Sequence, residues 1–354
     1  MRLIIAFLLL SVSLGSAQNL GEQIKSVVEG YIEQQKAVGV SVAVANGDET
    51  LFAGGFGLAN RDEKIAAKKE TIYRIGSITK QFTAAGILLL EKAGKLKLDD
   101  RLDKHVPEFP TEKKITLRHL LNHTSGIKSF TSLPSYGLLM GVEVTHEDIL
   151  NRFRDLLLEF EPGSKYRYSN SGYYLLGIVI ENVSGMNYDE FLQQRIFGPL
   201  KMTSSGYEKA DQPMPNQAKG YRSWLGGTWP AKPQHMSQPF SAGALISSVE
   251  DMIRWQRALV DGKLFPKTYF ARMTTRGKLN SGKAINYGLG IQVRAWGGRK
   301  VFHHGGGISG FRSELLYQPR GDYTVVVLAN TGQTDAGKIA RSIAEMLSEP
   351  KGEE

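Results

Sequence analysis

Ser77 stands three residues before Lys80, Tyr168 two before Asn170, and His304 directly before Gly305, Gly306 and Gly307. A serine hydroxyl is a weak nucleophile until a neighbour takes its proton. An amine, a phenol and an imidazole are the groups that could handle that proton, so the chemistry on offer is acyl transfer to serine. Ser-x-x-Lys also occurs at Ser125–Lys128, so the spacing alone decides nothing. Context separates the two. From Ser77 to Ala93, Phe82, Ala85, Leu88 and Leu89 recur at helical spacing, and Gly94 is the stop. On that helix Ser77 and Lys80 share a face about one turn apart. The unpaired N–H groups at a helix start would also suit a developing oxyanion. Ser125, within His123-Thr124-Ser125-Gly126, falls in a turn after a short helix.

The competing structural reading makes Ser77 an N-cap and Lys80 a solvated surface residue. The apolar density of the run argues for a buried helix. Desolvation disfavours the ammonium form, which is how a lysine becomes a base.

Tyr168-Ser169-Asn170 follows the turn signal Glu161-Pro162-Gly163 and precedes an apolar stretch from Gly172 to Ile180. The expected place is a loop just before a second buried helix. A phenol titrates near pH 10 and acts as a base only if a cation such as Lys80 lowers that value. A packed aromatic and a helix N-cap are the structural alternatives for Tyr168 and Asn170. His304 ends a strand pattern that begins at Arg299, and the glycines after it suggest a backbone that something approaches closely. A substrate edge pairing with the strand would fit. His303 alternates to the opposite face.

These words resemble the serine β-lactamase and penicillin-binding superfamily: class C β-lactamases, D-alanyl-D-alanine carboxypeptidases, D-aminopeptidases and β-lactamase-like esterases. The likeness extends to the stretches Thr116 to Gly126, Ser241 to Ser248 and Gly307 to Phe311. It implies a nucleophile at Ser77 with Lys80 as proton partner. Tyr168 would be general base and leaving-group acid, and Asn170 would hold Lys80 and a substrate amide. His304 would supply positive or hydrogen-bonding character near Tyr168. The backbone N–H groups of Ser77 and Gly307 would form the oxyanion hole, with Gly305 and Gly306 beside the substrate. Many relatives carry a hydroxyl residue where this chain has Gly305, and true β-lactamases usually have lysine where it has His304. Both departures favour peptidases, amidases or esterases, with Arg312 as a stand-in carboxylate contact.

Met1 to Ala17 has Arg2, an apolar centre and small residues at its end, the pattern of a cleavable signal peptide. It is short for a membrane span. With no cysteine, a disulfide or a lipoprotein anchor is excluded, and the expected location is secreted or periplasmic. The net charge of +9 would suit an anionic cell wall, but no long basic run occurs, so a dispersed solvated surface is the preferred reading. Nothing points to nucleic acid or to a cofactor. His119 and His123 have i, i+4 spacing but no evident third metal ligand.

Two early strands joined through Asn46-Gly47, helices from Ser77 to about Leu200, late strands and a last helix predict an α+β fold. Its antiparallel sheet comes from both chain ends and is flanked by helices. The expected late strands are 287–293, 301–304, 313–318 and 323–328, with terminal helices at about 21–35 and 335–347. The sheet lobe would span about 18–76 and 240–354, and an inserted, mainly helical lobe about 77–239. The Trp-, Pro- and Gly-rich stretch from Gly220 to Pro239 is expected to be a long loop, with Tyr221 or Trp224 lining the cleft.

The leading expectation is an exported serine hydrolase acting on D-amino-acid-containing peptides or amides, or on small carboxyl esters. Cell-wall peptides are among the implied substrates. A class C-like β-lactamase and a catalytically silent binding or sensor module are the alternatives.

Overall fold

β1 (Gly39–Asn46) is buried along nearly its whole length, as a strand covered on both faces must be. The computed structural model, which describes residues 19–34, 36–109 and 114–347, places it inside a seven-stranded sheet. Its neighbours are β2 (Glu49–Asn60), β3 (Ile65–Ala66), β9 (Gln292–Trp296), β10 (Arg299–Ile308), β11 (Phe311–Gln318) and β12 (Tyr323–Ala329). The order is β3-β2-β1-β12-β11-β10-β9, with antiparallel pairing throughout. Both ends of the chain therefore build one sheet, as expected. Short strands β4 (Tyr73–Arg74), β5 (Gly206–Tyr207) and β8 (Leu245–Ser247) form a second sheet, and β6 (Tyr221–Trp224) pairs with β7 (Gly227–Pro230).

Strand alternation sends two apolar sets to opposite faces. Val40, Val42, Val44, Leu316, Val325 and Val327 pack with Ile24 and Val28 of helix α1 (19–33). Ile339 and Ile343 of the last helix join the same cluster. Ala43, Leu315, Val326 and Leu328 face the other way, into a core shared with the helical insert. Its central members are α2 (Thr79–Lys92), α3 (Asn170–Ser184) and α4 (Val249–Asp261); the last helix, α5, is Ala336–Met346. Phe82 of α2 stacks on Trp255 of α4, ring centroids 4.0 Å apart.

Three local expectations change. Strand pairing reaches Asn46↔Glu49, so the first hairpin turn is Gly47-Asp48, with positive φ at Gly47 and not at Asp48, the type II′ pattern. The strand expected over 287–293 begins only at Gln292. Gly290, at φ 75°, turns the chain where a Cβ would stand 2.8 Å from the Lys80 carbonyl oxygen. The stretch from Gly220 to Pro239 holds a hairpin rather than only a loop. Its turn, Leu225-Gly226, has positive φ at both residues. Leucine is a poor residue there, which hides the turn from a search for Asn-Gly or Asp-Gly. Leu225→Asn is therefore expected to raise stability by about 1 kcal/mol, read as a higher thermal midpoint; an unchanged or lower midpoint counts against a strained turn.

Met1 to Ala17, the expected signal segment, lies outside the described residues. Among the described residues no helix is long and apolar enough to cross a membrane.

Candidate active site

The segment carrying Ser77 is tied to two sheets. Ile75 N donates to Leu245 O at 3.0 Å, and Ile75 O accepts from Ser313 Oγ at 2.8 Å. Gly76 follows at φ +50°, where a Cβ would stand 2.9 Å from Gly307 N. Only glycine lets the chain turn there and lie this close to β10. At Gly306 a Cβ would meet Ile75 O at 2.0 Å. The close approach expected from the glycine run is thus made, at this point, by the protein's own backbone. A 3₁₀ turn, Gly76–Ile78, leads into α2, so Ser77 lies one turn ahead of the α-helix rather than being its N-cap.

Lys80 is fully buried. Its Nζ lies 3.1 Å from Ser77 Oγ, 2.8 Å from Asn170 Oδ1 and 2.7 Å from Ala242 O. Burial lowers its pKa well below the ordinary lysine value, which favours the neutral amine. Such an amine has two N–H groups and one lone pair. The carbonyl oxygens of Asn170 and Ala242 can only accept, so they take the two N–H groups and leave the lone pair for the Ser77 hydroxyl. Asn170 is fixed in that sense because its Nδ2 donates to Thr131 Oγ1 at 2.8 Å. Ser169 occupies the N-cap position of α3, so the Asn170 side chain is not spent on capping.

Tyr168 as a whole is half-buried, but its hydroxyl is buried and without a hydrogen-bond partner. Burial pushes its pKa up strongly, offset in part by the Ser77 hydroxyl. Lys80 Nζ, 4.9 Å from the ring centroid, does not reverse this, so Tyr168 stays a neutral phenol. Burial therefore favours the phenol over the phenolate that the base half of the expected role would need. His304, 1% exposed, pairs its Nδ1 with Gly305 O at 2.8 Å and its Nε2 with the Tyr287 hydroxyl at 2.9 Å. The carbonyl can only accept, so Nδ1 donates and Nε2 accepts. Burial is the main cause that pushes its pKa down to about 3. His304 is therefore neutral, and its hydrogen-bonding character goes to Tyr287, not to Tyr168, whose ring centroid lies 6.2 Å away.

Ser77, Asn170 and Gly307 line one cleft of about 210 Å³, with Phe130, Thr131, Tyr136, Met140, Gln234, Pro239, Ala242, Gly243, Ile308 and Ser309. None of these carries a formal charge. Two larger hollows of about 510 and 430 Å³ lie elsewhere without Ser77. The proton-handling groups, not size, mark the smaller one.

The other expected residues are not gathered at the cleft. A Cβ at Gly305 would point at Glu314 Oε2, 2.9 Å away; the other oxygen of that carboxylate, Oε1, pairs with His303 Nδ1. A hydroxyl residue there would meet that buried pair, so the missing hydroxyl is not a missing cleft contact. Arg312 is paired across the sheet with Gly307, on the face of β10 away from His304, and donates to Phe311 O. Tyr221 is buried under the hairpin and accepts from Arg61 N at 2.7 Å. Trp224 is 55% exposed near the hairpin turn; neither lines the cleft. Ser125 Oγ accepts from Ile127 N at 3.2 Å and serves its turn. His119 Nδ1 closes a capping box with Thr116. Thr131, the Ala242 carbonyl and Tyr287 were missed. Each acts through contacts with residues distant in the sequence, and no local spacing announces such contacts.

A penicillin-binding protein of Bacillus subtilis is 30% identical over 335 residues, covering 88% of this chain and 72% of that protein. The solved penicillin-binding protein homologue from Pyrococcus abyssi superposes with a TM-score of 0.81 at 30% identity, over 92% of this chain and 77% of the other. A D-stereospecific amidohydrolase from a Streptomyces species superposes with a TM-score of 0.73 at 29% identity, over 86% of this chain and 93% of the other. The Beta-lactamase family model matches residues 24–347. With that match spanning nearly the whole described chain around the Ser77–Lys80 cleft, the protein belongs to the Beta-lactamase family.

Proposed function

We propose that the protein is an exported serine hydrolase that cleaves acyl donors without a free carboxylate, D-aminoacyl amides and carboxyl-blocked D-peptides foremost and small carboxyl esters beside them, through a Ser77 acyl-enzyme. One observation carries the chemistry: the fully buried Lys80 Nζ lies 3.1 Å from Ser77 Oγ while its other two contacts go to the carbonyl oxygens of Asn170 and Ala242, so as a neutral amine it would turn its lone pair to the Ser77 hydroxyl. As Ser77 Oγ attacks the acyl carbon, its proton passes to Lys80 Nζ. The oxyanion would be held by the backbone N–H groups of Ser77 and Gly307, both of which line the cleft. The Tyr168 hydroxyl gives its proton to the departing amine or alkoxide and is refilled from Lys80. Water then attacks the ester carbon of the acyl-enzyme, giving up a proton to the same groups. The acid leaves and Ser77 regains its hydrogen.

The neutral lining supports the substrate class. No lysine or arginine lines the cleft, and Arg312 lies on the far side of its strand, so a free carboxylate would lose its hydration with no charged partner. Phe130, Tyr136, Met140 and Ile308 offer apolar surface to an acyl or side-chain group. The likeness to a D-stereospecific amidohydrolase supports D-amides, and the pattern of residues 1–17 supports export. A charge-assisted hydrogen bond contributes about 1.5–3 kcal/mol, so its absence is expected to leave carboxylate-bearing substrates about ten- to a hundred-fold poorer. The test compares kcat/KM for D-phenylalanine amide and a p-nitrophenyl acyl ester with that for a D-Ala-D-Ala peptide and a cephalosporin. Preference for the two carboxylates would overturn the substrate assignment and favour a carboxypeptidase or β-lactamase.

A further inference from the structure

His123 is used neither as a metal ligand nor in the proton transfers above, yet three of its contacts converge on Tyr168. Its carbonyl oxygen accepts from Arg167 N at 2.9 Å, and its Nδ1 accepts from Ser169 N at 3.2 Å. The residues on both sides of Tyr168 are thereby tied to one histidine. The imidazole also packs against the Tyr168 ring, centroids 4.2 Å apart. Tyr287, which holds His304, lies on the same imidazole at 4.6 Å.

The arrangement has two local costs. His123 has φ +62°, a conformation that side chains with a Cβ disfavour. With Nδ1 accepting, the ring proton is on Nε2, which is buried without a partner. A residue present only to fill space needs neither a left-handed backbone nor an unpaired donor. Strain kept by the fold beside a reactive group is a pointer to function. Burial holds the imidazole well below its usual pKa, so the ring is neutral and Nδ1 stays free to accept.

We infer that His123 is a positioning residue for Tyr168, clamping the backbone on both sides of the phenol and packing against its ring so that the hydroxyl stays in place for proton transfer. This rests on the reading of Tyr168 as the proton carrier. A side chain that acts only through another loses its effect once that other group is removed, and a double-mutant cycle measures this.

The experiment measures kcat and KM with a neutral, unactivated alkyl ester, whose alkoxide must be protonated as it leaves, for wild type, His123→Phe, Tyr168→Phe and the double variant. His123→Phe keeps a ring and deletes the acceptor. It is expected to lower kcat by about 10- to 100-fold, the scale of a small misplacement, with KM nearly unchanged. In the Tyr168→Phe background the same change is expected to cost less than about threefold. An equal loss in both backgrounds overturns the inference, because a general structural role does not depend on the phenol. His123→Asn, which accepts a left-handed backbone and keeps an acceptor oxygen, runs through the same cycle if His123→Phe does not fold; full additivity there overturns it equally. If Tyr168→Phe alone leaves kcat unchanged, the proton-carrier reading falls and takes this inference with it. A damaged Tyr168→Phe with an additive cycle removes the inference alone.

Discussion

Ser77→Ala is expected to reduce turnover of a neutral ester or D-aminoacyl amide by about 10³–10⁶-fold while the protein stays folded. The size follows from the geometry. Lys80, Asn170 and the backbone donors act on an acyl group only once Ser77 Oγ has formed a bond to it, so no partial pathway through serine remains. Stability should hardly change, because Oγ lies at the half-buried lip of the cleft and the deletion leaves Lys80 bound to Asn170 and Ala242. Ser125→Ala gives the opposite pattern: that hydroxyl is buried and accepts from Ile127 N, so its loss should lower the thermal midpoint and leave turnover nearly intact. The check is a paired measurement of kcat/KM and thermal unfolding. Ser77→Ala retaining more than about a tenth of wild-type activity would exclude it as the nucleophile.

Lys80→Met is expected to cost about 10²–10⁴-fold, the usual share of a general base. The pH profile separates this from loss of packing. Acylation needs the lone pair on Nζ, so kcat/KM in the wild type should rise with pH as Lys80 loses its proton and then level off. That rise falls on the acid side of the ordinary lysine range, because burial lowers the pKa. In Lys80→Met this limb should vanish. Stability adds a second sign. An unfolded lysine keeps its proton up to about pH 10.4, whereas the folded one gives it up at lower pH. Between those values the wild type therefore loses stability as pH falls. Lys80→Met removes that loss, so its midpoint should gain on the wild type as pH is lowered through the window. An identical acid limb in both proteins would show that the titrating group is not Lys80.

Much of the frame was legible because periodicity reports burial directly. The two early strands joined through Asn46-Gly47 were expected in the sheet, and the apolar run after Ser77 announced α2 and the buried lysine within it. Ser77 and Lys80 could be paired in advance because a helical turn constrains where side chains lie, while Asn170 joined them only through the family resemblance. What was hidden depends on long-range contacts and on backbone conformations unusual for their residues. Leu225 occupies a left-handed turn position that normally takes asparagine or glycine, so the hairpin passed as a loop. Gly305 looked like a cleft residue until the pleat of β10 turned it toward Glu314. By resemblance His304 was given positive or hydrogen-bonding character and Tyr168 the base and acid roles, and burial of both side chains favours their neutral forms. His123 drew notice only for its i, i+4 spacing from His119, without a third metal ligand, while its ring lies against Tyr168.

The central claim is a covalent one and is tested by mass. Wild-type protein quenched in acid during turnover of a neutral p-nitrophenyl ester should gain the mass of one acyl group. Digestion should place that mass on the peptide containing Ser77, and Ser77→Ala should show none. An adduct on Ser125 or any other residue, or one that persists in Ser77→Ala, would contradict the account.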